Sequence, residues 1–254
     1  GALLEEMRGL LSRQAFENVP SVDSWDLPFR RVYALDRRFR GREQEALRRL
    51  LRLAHRLDAM VAMADAITLY GLVIPEVLEG PATVEAEGLF NLFITDPVPA
   101  DVHLGQDRHM LFVTGPNMAG KSTLLRSLGV ALYLAHLGMG VPAARFRFTP
   151  CQSFFAALNI SDDIHGGMSF FRTEAVRMKA VAEAMNAGRR IVALVDEPFK
   201  GTNVKDAMDA SWLVLEAFAR ASDGLFAVSS HLIELGDALQ ATDRVTCCRF
   251  VAGE

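Results

Sequence analysis

At 254 residues the chain can bury a sizeable core, and a formal net charge of −4 excludes a uniformly basic nucleic-acid binder. Half of the residues are hydrophobic and 23% are charged, which excludes a disordered segment. Cys151, Cys247 and Cys248 lack paired metal-ligand spacing, so a reducing, cytoplasmic setting is expected.

The start, Gly1–Glu6, has no basic lead and reads as a cut within a longer protein rather than a signal peptide. No apolar run approaches the ~18 residues of a membrane span, so no membrane association is expected. Residues 1–71 read as a helical segment. Leu3, Leu4, Met7, Leu10 and Leu11 keep helical spacing up to a stop at Pro20. A second helix is expected over about Asp26–Phe39. A third carries Leu47, Leu50, Leu51, Ala54, Leu57, Val61 and Ile67 on one stripe and ends at Gly71. Between Arg30 and Arg56 lie ten arginines against Asp36, Glu43 and Glu45; that is +7 locally, and the difference from −4 leaves −11 elsewhere. A solvated helix face with pairs such as Glu45–Arg49 accounts for this run more simply than a nucleic-acid contact does.

Residues 72–254 read as an α/β domain with a mainly parallel sheet. Prolines break residues 72–109 into short extended runs, Ala82–Ala86 and Leu89–Thr95. Met110–Thr114 reads as a buried strand, and a helix with Leu124, Leu125, Leu128, Ala131, Leu132 and Ala135 inward runs from Lys121 to Gly138. Strand-like runs follow at Phe146–Thr149 and Gln152–Leu158, then a loop to Met168 and a helix over Ser169–Asn186. Strands at Ile191–Val195, Leu225–Ser229 and Arg244–Val251 alternate with helices at Val204–Arg220 and His231–Leu239.

Gly115, Gly120, Lys121 and Ser122 have the spacing G-x-x-x-x-G-K-[ST] between strand and helix. Glycines let the loop turn so that successive N–H groups face one anion, and the helix start adds free N–H groups and its positive dipole end. Lys121 supplies a charge for β/γ-phosphates and the Ser122 hydroxyl a ligand for Mg²⁺. Asp196-Glu197 closes the apolar strand Ile191–Val195, the setting of a Walker B motif. Asp196 is then placed to hold Mg²⁺ and Glu197 to polarise a water. His231 follows another strand end and could contact the γ-phosphate or that water; a polar surface histidine is the plain alternative. Gln152 could touch Mg²⁺ or the water, or be an ordinary strand glutamine. The other histidines show no ligand-like spacing.

Together these stretches carry a resemblance. Thr114–Thr123 (TGPNMAGKST), Leu158–Asp163 (LNISDD), Gly167–Glu174 (GMSFFRTE), Leu194–Asn203 (LVDEPFKGTN) and Ser229–Leu232 (SSHL) stand in the order found in the MutS family of DNA mismatch-repair ATPases. The resemblance covers about residues 45–250. It implies an ABC-type P-loop NTPase fold that binds and hydrolyses ATP with Mg²⁺. It also implies a nucleotide-dependent homodimer with composite sites, acting on double-stranded DNA through the full-length protein. By the same resemblance Gly115, Pro116, Asn117, Met118, Ala119, Gly120, Lys121, Ser122 and Thr123 hold the nucleotide, and Ser169 reaches the partner's in trans. Lys121, Glu197 and His231 carry hydrolysis, and residues 42–70 resemble the end of a lever helix. Two departures, Ala119 for a usual glycine and Pro198-Phe199-Lys200 for Ile-Gly-Arg, mark a divergent branch. An ATP-driven dimerisation switch with negligible turnover is one alternative. An ABC transporter subunit is another, although Gly166-Gly167-Met168-Ser169 is not its L-S-G-G-Q signature.

Overall fold

The computed structural model describes residues 1–13, 16, 28–158, 170–200, 203–240 and 242–251. They divide into two compact units, Gly1–Asp65 and Ala66–Glu254.

The first unit is helical: α1 (Ala2–Leu11), α2 (Phe29–Arg40) and most of α3 (Gln44–Tyr70). Its small core gathers Leu10, Phe16, Ala46 and Leu53. The stripe expected along α3 is only partly used, since Leu51 and Val61 are exposed. The arginine run is partly tied down. Arg40 pairs with Asp36 at 2.6 Å and Arg52 with Glu45 at 2.9 Å, while Arg49 pairs with Glu6. The expected Glu45–Arg49 pair does not form, because Glu6 on α1 captures Arg49 and Glu45 reaches two turns along α3. Exposed pairs of this kind stabilise by at most about 1 kcal/mol each.

The second unit holds two sheets. β1 (Glu76–Val77), β2 (Val84–Leu89), β3 (Ala100–Leu104) and β5 (Arg145–Phe148) form one, in the order β1-β5-β2-β3. The other orders β6 (Ser153–Ala157), β7 (Ile191–Asp196), β8 (Gly224–Ser230), β4 (Met110–Thr114) and β9 (Val245–Arg249) as β6-β7-β8-β4-β9, every neighbouring pair parallel. Its crossover helices are α4 (Lys121–His136), α5 (Phe170–Asn186), α6 (Val204–Ala219) and α7 (Ile233–Leu239).

Both faces of the parallel sheet are covered, which is why its central strands β4, β7 and β8 are nearly continuous apolar runs rather than alternating. Leu111, Val113, Val192 and Leu194 pack with Leu125, Leu128 and Leu132 of α4 and with the first sheet. Met110, Phe112, Ile191, Ala193 and Val195 pack on the other side with Val181 of α5, Leu215 and Phe218 of α6 and Leu235 of α7. The helices set the depth of the crevice at the carboxyl edge: Gly129 of α4 comes so close to β7 that a Cβ there would lie 3.1 Å from Leu194.

One expected extended run is corrected. Leu89–Thr95 is strand only at Leu89, because the Asn91 side chain accepts the Phe93 N–H at 2.9 Å and turns the chain. The strand lies further on, at Ala100–Leu104, just past Pro97 and Pro99. No helix among the described residues is long and apolar enough to cross a membrane.

Candidate functional site

The glycine loop is built by close approach of backbone. The Phe250 N–H, just past β9, donates to the Thr114 carbonyl at 2.7 Å. A Cβ on Gly115, which has φ +145°, would meet the Phe250 carbonyl oxygen at 2.4 Å, so only glycine fits. Gly120, at φ +99°, caps α4 without a side-chain hydrogen bond, so the first amides of α4 are not taken by a capping side chain. Lys121 is 4% exposed, and its Nζ donates to the Gly115 and Pro116 carbonyls at 2.8 and 2.9 Å. The ammonium is therefore held beside the loop, at a helix start that no side chain caps.

The acids enter one strand away. β8 lies between β4 and β7, with Ser230 level with Thr114 and Ser229 level with Asp196. This register lets one Asp196 oxygen accept both the Ser122 hydroxyl, at 3.0 Å, and the Ser229 hydroxyl. The next residue, Glu197, has φ +50° and donates its N–H to the Ser229 carbonyl at 3.0 Å. Its side chain is 12% exposed, 2.5 Å from Lys200 Nζ and 3.8 Å from His231 Nδ1. The hydrogen bond to Glu197, then its charge, raises the Lys200 pKa above the ordinary lysine value. The His231 distance is too long for a hydrogen bond but within reach of a bridging water. Pro198, Phe199 and Lys200 complete a turn in which Phe199 also has positive φ, +60°.

Two hollows meet over the loop. A polar one of about 330 Å³ is bordered by Asn117, Lys121, Ser122, Asp196, Glu197 and Lys200. An apolar one of about 550 Å³ is bordered by Ile94, Pro97, Val98, Met118, Thr123 and Phe250. Asn117 and His231 also share the border of a third, of about 450 Å³. Polyphosphate chemistry at one end and an apolar slot at the other suit a nucleotide.

The donor set also fits Mg²⁺. The Ser122 hydroxyl and Asp196 carboxylate are hard oxygen ligands already within 3.0 Å of each other. Two such side-chain ligands suit a cation that otherwise keeps water and phosphate oxygens.

Lys121, Ser122, Asp196, Glu197 and His231 thus converge, with Asn117 beside them. Gln152 does not join them. Its Oε1 accepts the Arg190 N–H at 2.9 Å, at the amino edge of the sheet, because β6 starts just after Gln152 and runs parallel to β7. Asp196 lies at the opposite end of β7, roughly 17 Å away at ~3.3 Å per residue. Ser169 lies outside the described residues. Sequence reading did not single out Lys200, Ser229 as the partner of Asp196, the apolar hollow, or Glu174. Glu174 is 3% exposed on α5 and accepts the Phe199 N–H, and burial pushes its carboxyl up to about 7. Only the Lys200–Glu197 spacing of three was visible locally.

Fold and loop together define a class: an α/β protein whose parallel sheet carries a P-loop sequence at a strand–helix junction. The sequence matches the family model of MutS domain V over residues 111–254, and the chain belongs to the MutS family. It is 33% identical over 190 residues to the DNA mismatch repair protein MutS of Nitratidesulfovibrio vulgaris, covering 71% of this chain and 21% of that protein. It is 29% identical over 219 residues to the protein of that name from Synechococcus sp., covering 84% and 24%. The chain thus spans between a fifth and a quarter of the length of these curated relatives.

Proposed function

We propose that residues 72–254 are a Mg²⁺-dependent ATPase domain of ABC type, coupled in the full-length protein to DNA and to a second copy of itself. The observation that carries this is the shared hydrogen bond of Ser122 and Asp196 beside the buried Lys121. It joins the phosphate loop to the acid edge across an interposed strand. The placement of β8 between β4 and β7, with a second sheet alongside, supports the ABC-type assignment.

Lys121 and the loop amides bind the β- and γ-phosphates, and the apolar hollow takes the base. Ser122 and Asp196 would hold Mg²⁺, which supplies charge neutralisation on the phosphate oxygens. Glu197 takes the proton from a water aimed at the γ-phosphate, and His231 orients that water across the 3.8 Å gap. The phosphorus–oxygen bond to the β-phosphate breaks, giving ADP and phosphate. Residues 1–71 act as the end of a lever. The relatives' names make DNA mismatch repair the process that the full-length protein would serve. Steady-state phosphate release with and without Mg²⁺ tests the reading; turnover that is absent, or equal in EDTA, contradicts it.

The Lys200–Glu197 ion pair favours a second reading, a switch that binds ATP, dimerises and hardly turns over, because it occupies the carboxylate that would act as base. Composite sites are tested by mixing Lys121→Ala with Ser169→Ala protein. If Ser169 acts in trans, both lesions of a mixed dimer fall in one composite site and leave the other complete, so the mixture regains measurable ATPase. Heterodimers that form without recovery would reduce Ser169 to a helix cap.

A further inference from the structure

Burying a carboxyl is costly where an apolar residue would pack, so Glu174 needs a reason. It lies 3% exposed in the amino-terminal half of α5, and the Phe199 backbone N–H donates to it. Its Oε2 has no hydrogen-bond partner among the described residues. Phe199 is itself 4% exposed at φ +60°, so its N–H has no recourse to solvent and its backbone is strained. The Phe171 ring, also on α5, lies 5.4 Å from the Phe199 ring, and the Ser211 hydroxyl of α6 donates to the Pro198 carbonyl at 3.3 Å. The turn that carries Glu197 is thus fixed from outside itself, with α5 supplying both an acceptor and a ring.

We infer that Glu174 is a positioning residue: its carboxyl holds the turn 197–200, and through it the Glu197 carboxylate, to α5. This rests on the reading of Glu197 as the water-polarising group. Movement of α5 would then move the base without touching the phosphate loop.

Length against charge decides the test. Glu174→Gln keeps an acceptor at the same reach; Glu174→Asp keeps the charge but withdraws the oxygen by one methylene. Phosphate release in the Gln variant stays within about 3-fold of wild type, while the Asp variant loses at least ~10-fold in kcat with KM for ATP little changed. Deuterium exchange over residues 197–200 quickens in the Asp variant alone. An Asp variant with wild-type turnover, or a Gln variant equally impaired, overturns the inference. Should wild-type protein release no phosphate, the hydrolytic reading fails separately. Exchange then decides the tether: faster in the Asp variant alone supports it, equal in all three overturns it.

Discussion

The glycine loop and the turn after β7 both follow a buried strand at the same edge of one sheet, yet they are built by opposite means. The loop places Gly115 and Gly120 at φ +145° and +99°, where glycine is unstrained, and leaves Met118 as its one side chain at positive φ. The turn places Glu197 and Phe199 at +50° and +60°, which costs roughly 1–3 kcal/mol each and persists only under outside restraint. Glu174, Ser211 and Ser229 provide that restraint. A loop that glycine leaves unstrained is suited to binding. A turn whose geometry is borrowed from α5, α6 and β8 is suited to being gated.

The comparison breaks most visibly at the loop. Lys121→Ala should weaken ATP binding by about three orders of magnitude, ~4 kcal/mol, measured by calorimetry. Gly115→Ala should do comparable damage through its clash with Phe250. Affinity within a few-fold of wild type in both variants would remove the loop from nucleotide binding.

The turn should show itself in a pH dependence. Burial first of all raises the Glu174 carboxyl from 4.5 to about 7, opposed by the Phe199 N–H and the charge of Arg177. The folded state then holds a proton that the unfolded chain has released between those values. Stability therefore falls as pH rises from about 4.5 to about 7, by up to ~3 kcal/mol. Urea unfolding should show this slope in wild type and its loss in Glu174→Gln. The same slope in both proteins would assign it to another group.

These two regions differed equally in how far sequence revealed them. The loop was legible because its spacing, strand and helix are contiguous, and Asp196-Glu197 because an apolar run ends in acids. Ser229 and Glu174 act through tertiary register: Ser229 meets Asp196 only because β8 pairs with β7, and Glu174 meets Phe199 only once α5 packs on the sheet. Gln152 was misplaced because strand direction decides which edge a residue occupies, and periodicity does not report direction. The Leu89–Thr95 run looked extended, but the Asn91 turn overrode its apolar content.

A smaller effect sharpens the junction between the two regions. Asp196→Asn keeps an oxygen for the Ser122 hydroxyl and loses a charge, so half-maximal turnover should need about 10-fold more Mg²⁺, ~1.4 kcal/mol. An unchanged Mg²⁺ titration would place the cation elsewhere.

The most direct test of the division between a binding loop and a gated turn is Glu197→Gln, with ATP affinity and phosphate release measured on the same preparation. The amide keeps a hydrogen-bonding oxygen but cannot take a proton. The account predicts ATP affinity within about 3-fold of wild type and phosphate release reduced at least ~100-fold. Wild-type turnover in this variant, or a loss of affinity matching the loss of turnover, would contradict it.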